Sequence, residues 1–161
     1  MYPDTDEQLN YATEETIYFF TPAFHPLDNF SAHAIEVWGV LFPTVEHAYQ
    51  WKKFSLTRPD IAEQILLARS PDAVKKISDP NISNQPEDWH ERRVSIMEEI
   101  LRVKAEQHED VREILKKTET RRIIENSPID NFFGGGPDGN GKNIVGELWM
   151  KIRDELSTNI D

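Results

Sequence analysis

The sequence predicts a compact, mainly helical α+β fold with a small antiparallel sheet. Several segments carry apolar residues at helical spacing or begin with helix-capping residues, whereas only short segments are rich in β-branched and aromatic residues. A length of 161 residues fits one domain. We therefore expect a polar N-terminal extension over residues 1–15 and a single domain over residues 16–157.

Three short segments predict the strands. TIYFF (Thr16–Phe20) combines β-branched and aromatic residues. Ile35–Phe42 alternates apolar side chains, which indicates a strand or a tight hairpin around Gly39. Arg122–Glu125 is short, and we favour a strand there too.

Capping residues mark where helices begin. Thr44 is a credible N-cap for a helix over Val45–Phe54, and Asp60 with Glu63 forms the pattern of a capping box for Ile61–Arg69. Ser70 followed by proline predicts another short helix, and we expect Asp79–Gln85, which is rich in turn-forming residues, to be a loop. The remaining helices are expected over Pro86–Gln107, Asp110–Lys117 and Ile144–Leu156.

Composition excludes several classes of protein. The chain has no cysteine, which excludes disulfides, cysteine nucleophiles and iron–sulfur clusters. Its five histidines show no HxxxH or HExxH spacing, so we expect no metal site. A net charge of −11 favours a small phosphorylated ligand over a long nucleic acid, which usually needs a basic surface.

The apolar runs are only a few residues long, so we expect no membrane span. The N-terminus is polar and acidic and has no apolar signal region. We therefore expect a cytoplasmic protein.

The helix TVEHAYQWKKF carries a candidate site. Glu46, Gln50 and Lys53 are spaced to line one face, with Tyr49 beside them. One interpretation is a surface ion pair. The other is a carboxylate and an ammonium at the rim of a cleft, where the helix N-terminus favours the ionised carboxylate.

The second candidate is the loop SPIDNFFGGGPDGNGKN (Ser127–Asn143). Residues 126–143 hold five of the seven glycines of the chain, and a long loop in a small protein is usually functional. Glycine lets backbone N–H groups approach a phosphate or ribose closely. Asp130 adds a carboxylate, and Phe132 and Phe133 offer ring faces on which a base can stack.

These segments resemble the NADAR, or YbiA-like, family. The resemblance rests on PLDNF, FPTVEHAYQWKKF, ARSPDAVKK, the long helix with its Trp89, Arg93 and Met97, and the C-terminal signature SPIDNFFGGGPDGNGKNIVGELWMKIRDEL, all in the expected order. It implies an N-glycosidase with the compact YbiA-like fold and no cofactor. Two positions depart from the family: Asp28 stands where serine is usual, and Phe133 where tryptophan is usual. We expect Asp28 to point outward, since it would repel a phosphate.

The resemblance also implies the site residues and the substrates. Family members hydrolyse ribosylamino-pyrimidine phosphates of riboflavin biosynthesis, or release ADP-ribose from guanine in DNA, sometimes as antitoxins paired with a toxin. The alternative is a non-catalytic module that binds ADP-ribose or a nucleotide. The catalytic residues would be Glu46, Lys53 and Asp130, and the substrate-binding residues Asn29, Phe30, Tyr49, Gln50, Lys75, Trp89, Phe133, Gly134, Gly136 and Asn143.

Cleavage of an N-glycosidic bond explains the choice of catalytic residues. The reaction builds positive charge on the sugar C1, so it needs a carboxylate nearby, for which we assign Glu46. Asp130 would orient the ribose or supply the second carboxylate. Lys53 or Lys75 would hold the phosphate, or a lysine would attack C1 and pass through a Schiff base.

Overall fold

The computed structural model describes residues 9–21 and 25–159, so most of the predicted N-terminal extension lies outside the described residues. These residues form two compact units. One unit contains the described residues up to Ser31 and from His108 onward, and we call it the terminal unit. The other, the central unit, is Ala32–Gln107.

Helices outnumber strands, and the predicted α+β class is confirmed. No helix in the part of the chain that the structure describes is long and apolar enough to cross a membrane. In chain order the elements are β1 (Tyr11–Ala12), β2 (Thr16–Phe19), β3 (Ile35–Val37), β4 (Val40–Phe42), α1 (Val45–Phe54), α2 (Pro59–Leu67), α3 (Pro71–Ser78), a 3-10 helix (Asp79–Asn84), α4 (Trp89–Gln107), α5 (Glu109–Lys117), β5 (Arg122–Glu125) and α6 (Ile144–Thr158).

The sheet of the terminal unit has three strands in the order β1-β2-β5. Strand β1 lies within the segment predicted to be an extension and pairs with β2 in the expected antiparallel sense. Strand β2, however, pairs with β5 in parallel, with Thr16 opposite Arg122. The sheet is therefore mixed, because a long crossover that includes the whole central unit returns the chain to the sheet in the same direction.

Asn143 links the start of α6 to β5 through two side-chain hydrogen bonds. Its side-chain oxygen accepts a hydrogen bond from Glu125 N, and its side-chain nitrogen donates one to Ile123 O, both at 2.9 Å. The residue is buried and has a left-handed backbone with φ of 51°, which asparagine adopts more readily than most residues. Gly146 follows in the first turn of α6, where a Cβ atom would collide with Ile123 O and with the Asn143 amide.

The central unit begins with a hairpin, as one of the two interpretations of Ile35–Phe42 predicts. Strands β3 and β4 are antiparallel, and Trp38 and Gly39 form the turn with positive φ angles of 54° and 75°. Thr44 then caps α1, because its hydroxyl accepts a hydrogen bond from His47 N at 3.2 Å.

An apolar cluster joins α1, α2 and α3. Phe54, Ile61, Ala62, Ile65 and Val74 are all buried in it. His47 links α1 to the C-terminal end of α2, since its Nε2 donates to Ala68 O at 2.9 Å while its Nδ1 lies 2.8 Å from the Thr44 hydroxyl. Burial lowers the pKa of His47, which favours this neutral arrangement.

Two local predictions are wrong. The predicted capping box of Asp60 and Glu63 does not form, and helix α2 begins at Pro59. The Asp60 carboxylate instead pairs with the Arg58 guanidinium at 2.8 Å. Residues Asp79–Asn84, predicted as a loop, form a 3-10 helix directly after α3. Both elements still contain proline at their first turn, where its missing N–H costs nothing.

We predict that Gly146→Ala lowers the free energy of unfolding by about 3 kcal/mol, because the new methyl group forces α6 away from β5. The control is Gly139→Ala, where a Cβ atom meets nothing within 4 Å and only the positive φ of 74° is penalised, by about 1 kcal/mol. Urea denaturation measures both. An equal loss of unfolding free energy in the two variants would show that the contact between α6 and β5 tolerates a methyl group.

Candidate active site

One face of α1 carries four polar or aromatic residues that are all buried. Glu46, Tyr49, Gln50 and Lys53 are 7%, 5%, 6% and 9% exposed. Charged residues are rarely this buried unless they are paired or functional. The interpretation of Glu46 and Lys53 as a surface ion pair is therefore wrong, although their placement on one helix face is as the spacing predicts.

Aromatic rings surround the Lys53 amine. Trp89, the first residue of α4, is 2% exposed, and its ring lies 5.2 Å from that of Tyr49, centroid to centroid. Lys53 Nζ lies 5.4 Å from the Tyr49 centroid and 5.7 Å from the Trp89 centroid. These ring faces attract the charged ammonium but replace the water that would otherwise hydrate it.

Burial lowers the pKa of Lys53, and the nearby charges of Lys75 and Arg93 lower it further. The carboxylates of Glu46 and Asp79 oppose this change but do not outweigh the loss of hydration. Lys53 therefore loses its proton at a lower pH than an exposed lysine does. A neutral amine of this kind is a nucleophile.

Gln50 connects to the carboxylate one helical turn before it. Its Nε2 donates a hydrogen bond to Glu46 Oε1 at 2.9 Å. Glu46 lies in the first turn of α1, where the positive end of the helix dipole favours the ionised carboxylate. The contact fixes the Glu46 side chain against the helix.

Lys75 lies outside this buried group. It is exposed on α3, and its Nζ lies 4.0 Å from Asp79 Oδ1. Sequence reasoning left Asp79 and Arg93 out of the site, yet both act on Lys53 electrostatically. The sequence does carry a signal for Arg93, because it belongs to the residues on which the family resemblance rests and follows Trp89 by one helical turn on α4.

The glycine-rich loop of the terminal unit is organised around Asp130. Asp130 Oδ1 accepts hydrogen bonds from Phe132 N at 2.8 Å and from Phe133 N at 2.9 Å. Ser127 Oγ accepts from Asp130 N at 2.9 Å. The Asp130 side chain is exposed and that of Phe133 is half-buried. One oxygen of the Asp130 carboxylate, which we predicted to be catalytic, therefore accepts the hydrogen bonds that stabilise the turn of its own loop.

Three further predicted binding residues of this loop have structural contacts. A Cβ atom on Gly134 would lie 2.8 Å from Ser127 Cβ, and one on Gly136 would lie 2.8 Å from Asn131 Cβ. Gly136 also has a φ of 73°, which favours glycine. With Asn143, these residues are required for the folding of the loop itself, whatever they contribute to binding.

Asn29 and Phe30 lie in the same unit as this loop, and Asn29 is buried whereas Phe30 is half-buried. The expectation that Asp28 points outward is wrong, since Asp28 is 2% exposed. Its carboxylate accepts hydrogen bonds from Phe30 N at 2.8 Å and from the Thr21 hydroxyl at 2.7 Å. Asp28 therefore shapes the turn that carries Asn29 and Phe30.

The predicted site residues thus form two groups, one in each unit. The central unit holds Glu46, Tyr49, Gln50, Lys53, Lys75 and Trp89, and the terminal unit holds Asn29, Phe30, Asp130, Phe133, Gly134, Gly136 and Asn143. In the central unit all of these residues except Lys75 are buried.

Known proteins share this fold and this chain length. An N-glycosidase of Nostoc punctiforme is 33% identical over 88% of this chain and 92% of its own. The solution structure of Escherichia coli YbiA matches with a TM-score of 0.79 and 27% identity over 95% of this chain and 91% of that one. YbiA of Escherichia coli is also an N-glycosidase by name. The chain is thus an N-glycosidase, a hydrolase of N-glycosyl bonds, as the sequence predicts.

The family follows from the same similarity. The model of the NADAR domain matches residues 10–157, which is nearly the whole chain, so the chain belongs to the NADAR family. A further relative is the chloroplastic riboflavin biosynthesis protein PYRR of Zea mays. It is 31% identical over 96% of this chain but over only 27% of its own length.

Proposed function

We propose that the chain hydrolyses the N-glycosidic bond of a phosphorylated riboside, with the Glu46 carboxylate beside the sugar C1. The observation that supports this most is the buried carboxylate and amine on one face of α1. A protein that only binds a nucleotide has no need for an amine whose pKa is lowered by burial next to a carboxylate. Cleavage of a glycosidic bond, by contrast, uses a carboxylate near C1 together with a nucleophile, and Glu46 and Lys53 offer these two groups.

Glu46 acts on the charge that develops in the reaction. As the C1–N bond breaks, positive charge builds on C1 and the ring oxygen, and an ionised carboxylate stabilises it. Gln50 holds Glu46 in one orientation, so little reorganisation is needed when the charge appears. The low exposure of Glu46 strengthens this interaction, since water does not screen it.

Lys53 is the nucleophile in this proposal. Its neutral amine forms a bond to C1 while the bond to the leaving nitrogen breaks, and the base departs with a proton that the amine gives up. The bond between C1 and the ring oxygen then opens, the oxygen takes up a proton, and a Schiff base forms between C1 and the lysine. Water hydrolyses this Schiff base, which releases the sugar phosphate and restores the lysine. With Lys53 as the nucleophile, the exposed Lys75 is the residue to which we assign phosphate binding.

The family resemblance also implies binding roles for the glycine-rich loop, and these stay predictions. They are a carboxylate at Asp130 that orients a ribose and a ring at Phe133 on which a base stacks. Asn29, Phe30, Gly134, Gly136 and Asn143 keep the binding roles that the family resemblance implies.

Two observations favour ribosylamino-pyrimidine phosphates as the substrates. The Zea mays relative and a relative from Vibrio vulnificus are named riboflavin biosynthesis proteins. The net charge of −11 also disfavours a long nucleic acid. ADP-ribosylated guanine is the other substrate that the family resemblance implies. A DNA substrate, a toxin partner and a cytoplasmic location stay predictions.

We predict that a substrate panel separates these possibilities. The purified chain is incubated with ribosylamino-pyrimidine phosphates and with ADP-ribosylated guanosine, and released base is measured by chromatography. We expect release from the pyrimidine phosphates. Release from neither class, together with a ligand-dependent rise in melting temperature, would replace the enzyme by a binding module.

We predict that Glu46→Gln lowers kcat by about 100-fold or more, because the amide cannot stabilise positive charge on C1. The variant keeps an oxygen that accepts the hydrogen bond from Gln50, so it should fold normally. Steady-state kinetics and the melting temperature measure the two effects. Glu63→Gln, on the exposed face of α2, is the control. Near-normal turnover of Glu46→Gln would remove Glu46 from the mechanism.

We predict that borohydride traps a covalent adduct on Lys53 in the presence of substrate, and none on Lys75. The rate should rise with pH through the pKa of Lys53, which burial places below the usual 10.5, because only the neutral amine attacks. Mass spectrometry of the reduced protein locates the adduct, and Lys53→Arg should abolish it. A rate that falls over this pH range, without an adduct, would assign the charged ammonium to phosphate binding instead.

A further inference from the structure

Gln50 presents two opposite hydrogen-bonding groups in one buried position. Its Nε2 donates to Glu46 Oε1 at 2.9 Å, and the residue is 6% exposed. Its Oε1 has no hydrogen-bond partner among residues 9–21 and 25–159, which are those that the structure describes. A buried carbonyl oxygen is almost always paired, so this atom indicates a group that arrives from outside the chain.

The orientation of the Gln50 amide follows from the chemistry of Glu46. An ionised carboxylate only accepts hydrogen bonds, so the amide must direct its NH₂ group toward Glu46. The reverse orientation would place two oxygens against each other. The unpaired atom of Gln50 is therefore the acceptor Oε1, and the group that pairs with it must be a hydrogen-bond donor.

The sugar hydroxyls of a phosphorylated riboside meet this requirement, and they are the donors nearest to C1. An ionised phosphate offers acceptors only. Residues one helical turn apart have Cβ atoms about 5–6 Å apart, so a sugar whose C1 lies at Glu46 places its C2 hydroxyl within reach of Gln50. Hydrogen bonds to that hydroxyl strengthen as a glycosidic bond breaks.

We propose that Gln50 recognises the 2-hydroxyl of the ribose through Oε1 while its Nε2 holds the Glu46 carboxylate. The inference rests on the proposed function, since it takes the sugar C1 to lie beside Glu46. It gives Gln50 a role in specificity: the site accepts ribosides and rejects 2-deoxyribosides, because a 2-deoxy sugar leaves the buried oxygen unpaired.

The test compares kcat/KM for a ribosylamino-pyrimidine phosphate and for its 2-deoxyribosyl counterpart. The unaltered chain should prefer the ribosyl substrate by roughly 10- to 100-fold. Gln50→Met has a similar volume but neither donor nor acceptor, so the preference should fall below about 3-fold. Both rates should also drop, because Glu46 loses its hydrogen bond. Gln64→Met, at an exposed glutamine of α2, should leave the preference unchanged.

A second measurement needs no variant. At equal concentrations, ribose 5-phosphate should raise the melting temperature of the chain more than 2-deoxyribose 5-phosphate does. Gln50→Met itself should melt at a lower temperature than the unaltered chain, because the buried Glu46 carboxylate loses a donor. The substrate preference is therefore the deciding measurement: a purely structural role of Gln50 would lower the melting temperature and leave the preference unchanged.

The outcomes separate the two proposals. A ribosyl preference that survives in Gln50→Met, an unaltered chain without any preference, or equal stabilisation by the two sugar phosphates would overturn the role of Gln50 and leave the N-glycosidase function intact. The last two results would mean that only water fills the position. Failure of the unaltered chain to release base from any ribosyl substrate would overturn the proposed function and this inference with it.

Discussion

The central unit depends on the burial of opposite charges on one helix face. Removing a carboxylate and an amine from water is unfavourable, so each needs a compensating contact. Glu46 has the helix N-terminus and the Gln50 amide, and Lys53 has the rings of Tyr49 and Trp89 together with the field of Glu46. The compensation for Lys53 is incomplete, which lowers its pKa.

Local patterns predict most of the helices and strands. Thr44 caps α1 and Ser70 caps α3, as expected, because a short polar side chain before an apolar segment has few other good arrangements. The same reasoning fails at Asp60, since the Arg58 guanidinium competes for its carboxylate and Pro59 needs no cap. It also fails for Asp28, where the charge suggests an exposed side chain but two hydrogen bonds hold it inside.

Local sequence patterns predict only part of the candidate site. Helical spacing places Glu46, Gln50 and Lys53 on one face, but it does not show whether that face is exposed. Part of the burial comes from Trp89, which is distant in sequence, lies on another helix and packs its ring near Tyr49 and Lys53. The loop residues show the opposite case: Asn143 and Gly134 belong to the family signature, yet their visible contacts serve the loop and β5. A motif can mark a residue for its fold as readily as for its ligand.

The parallel pairing of β2 with β5 has a consequence for how the chain folds. The two strands are separated by about one hundred residues, and the intervening segment includes the whole central unit. Closing so long a loop costs entropy that the few hydrogen bonds between the two strands cannot recover until the remaining packing forms. During synthesis, β2 leaves the ribosome long before its partner exists, whereas Ala32–Gln107 is continuous and already complete. We therefore expect the central unit to fold before the sheet of the terminal unit, whose strands come from distant parts of the chain.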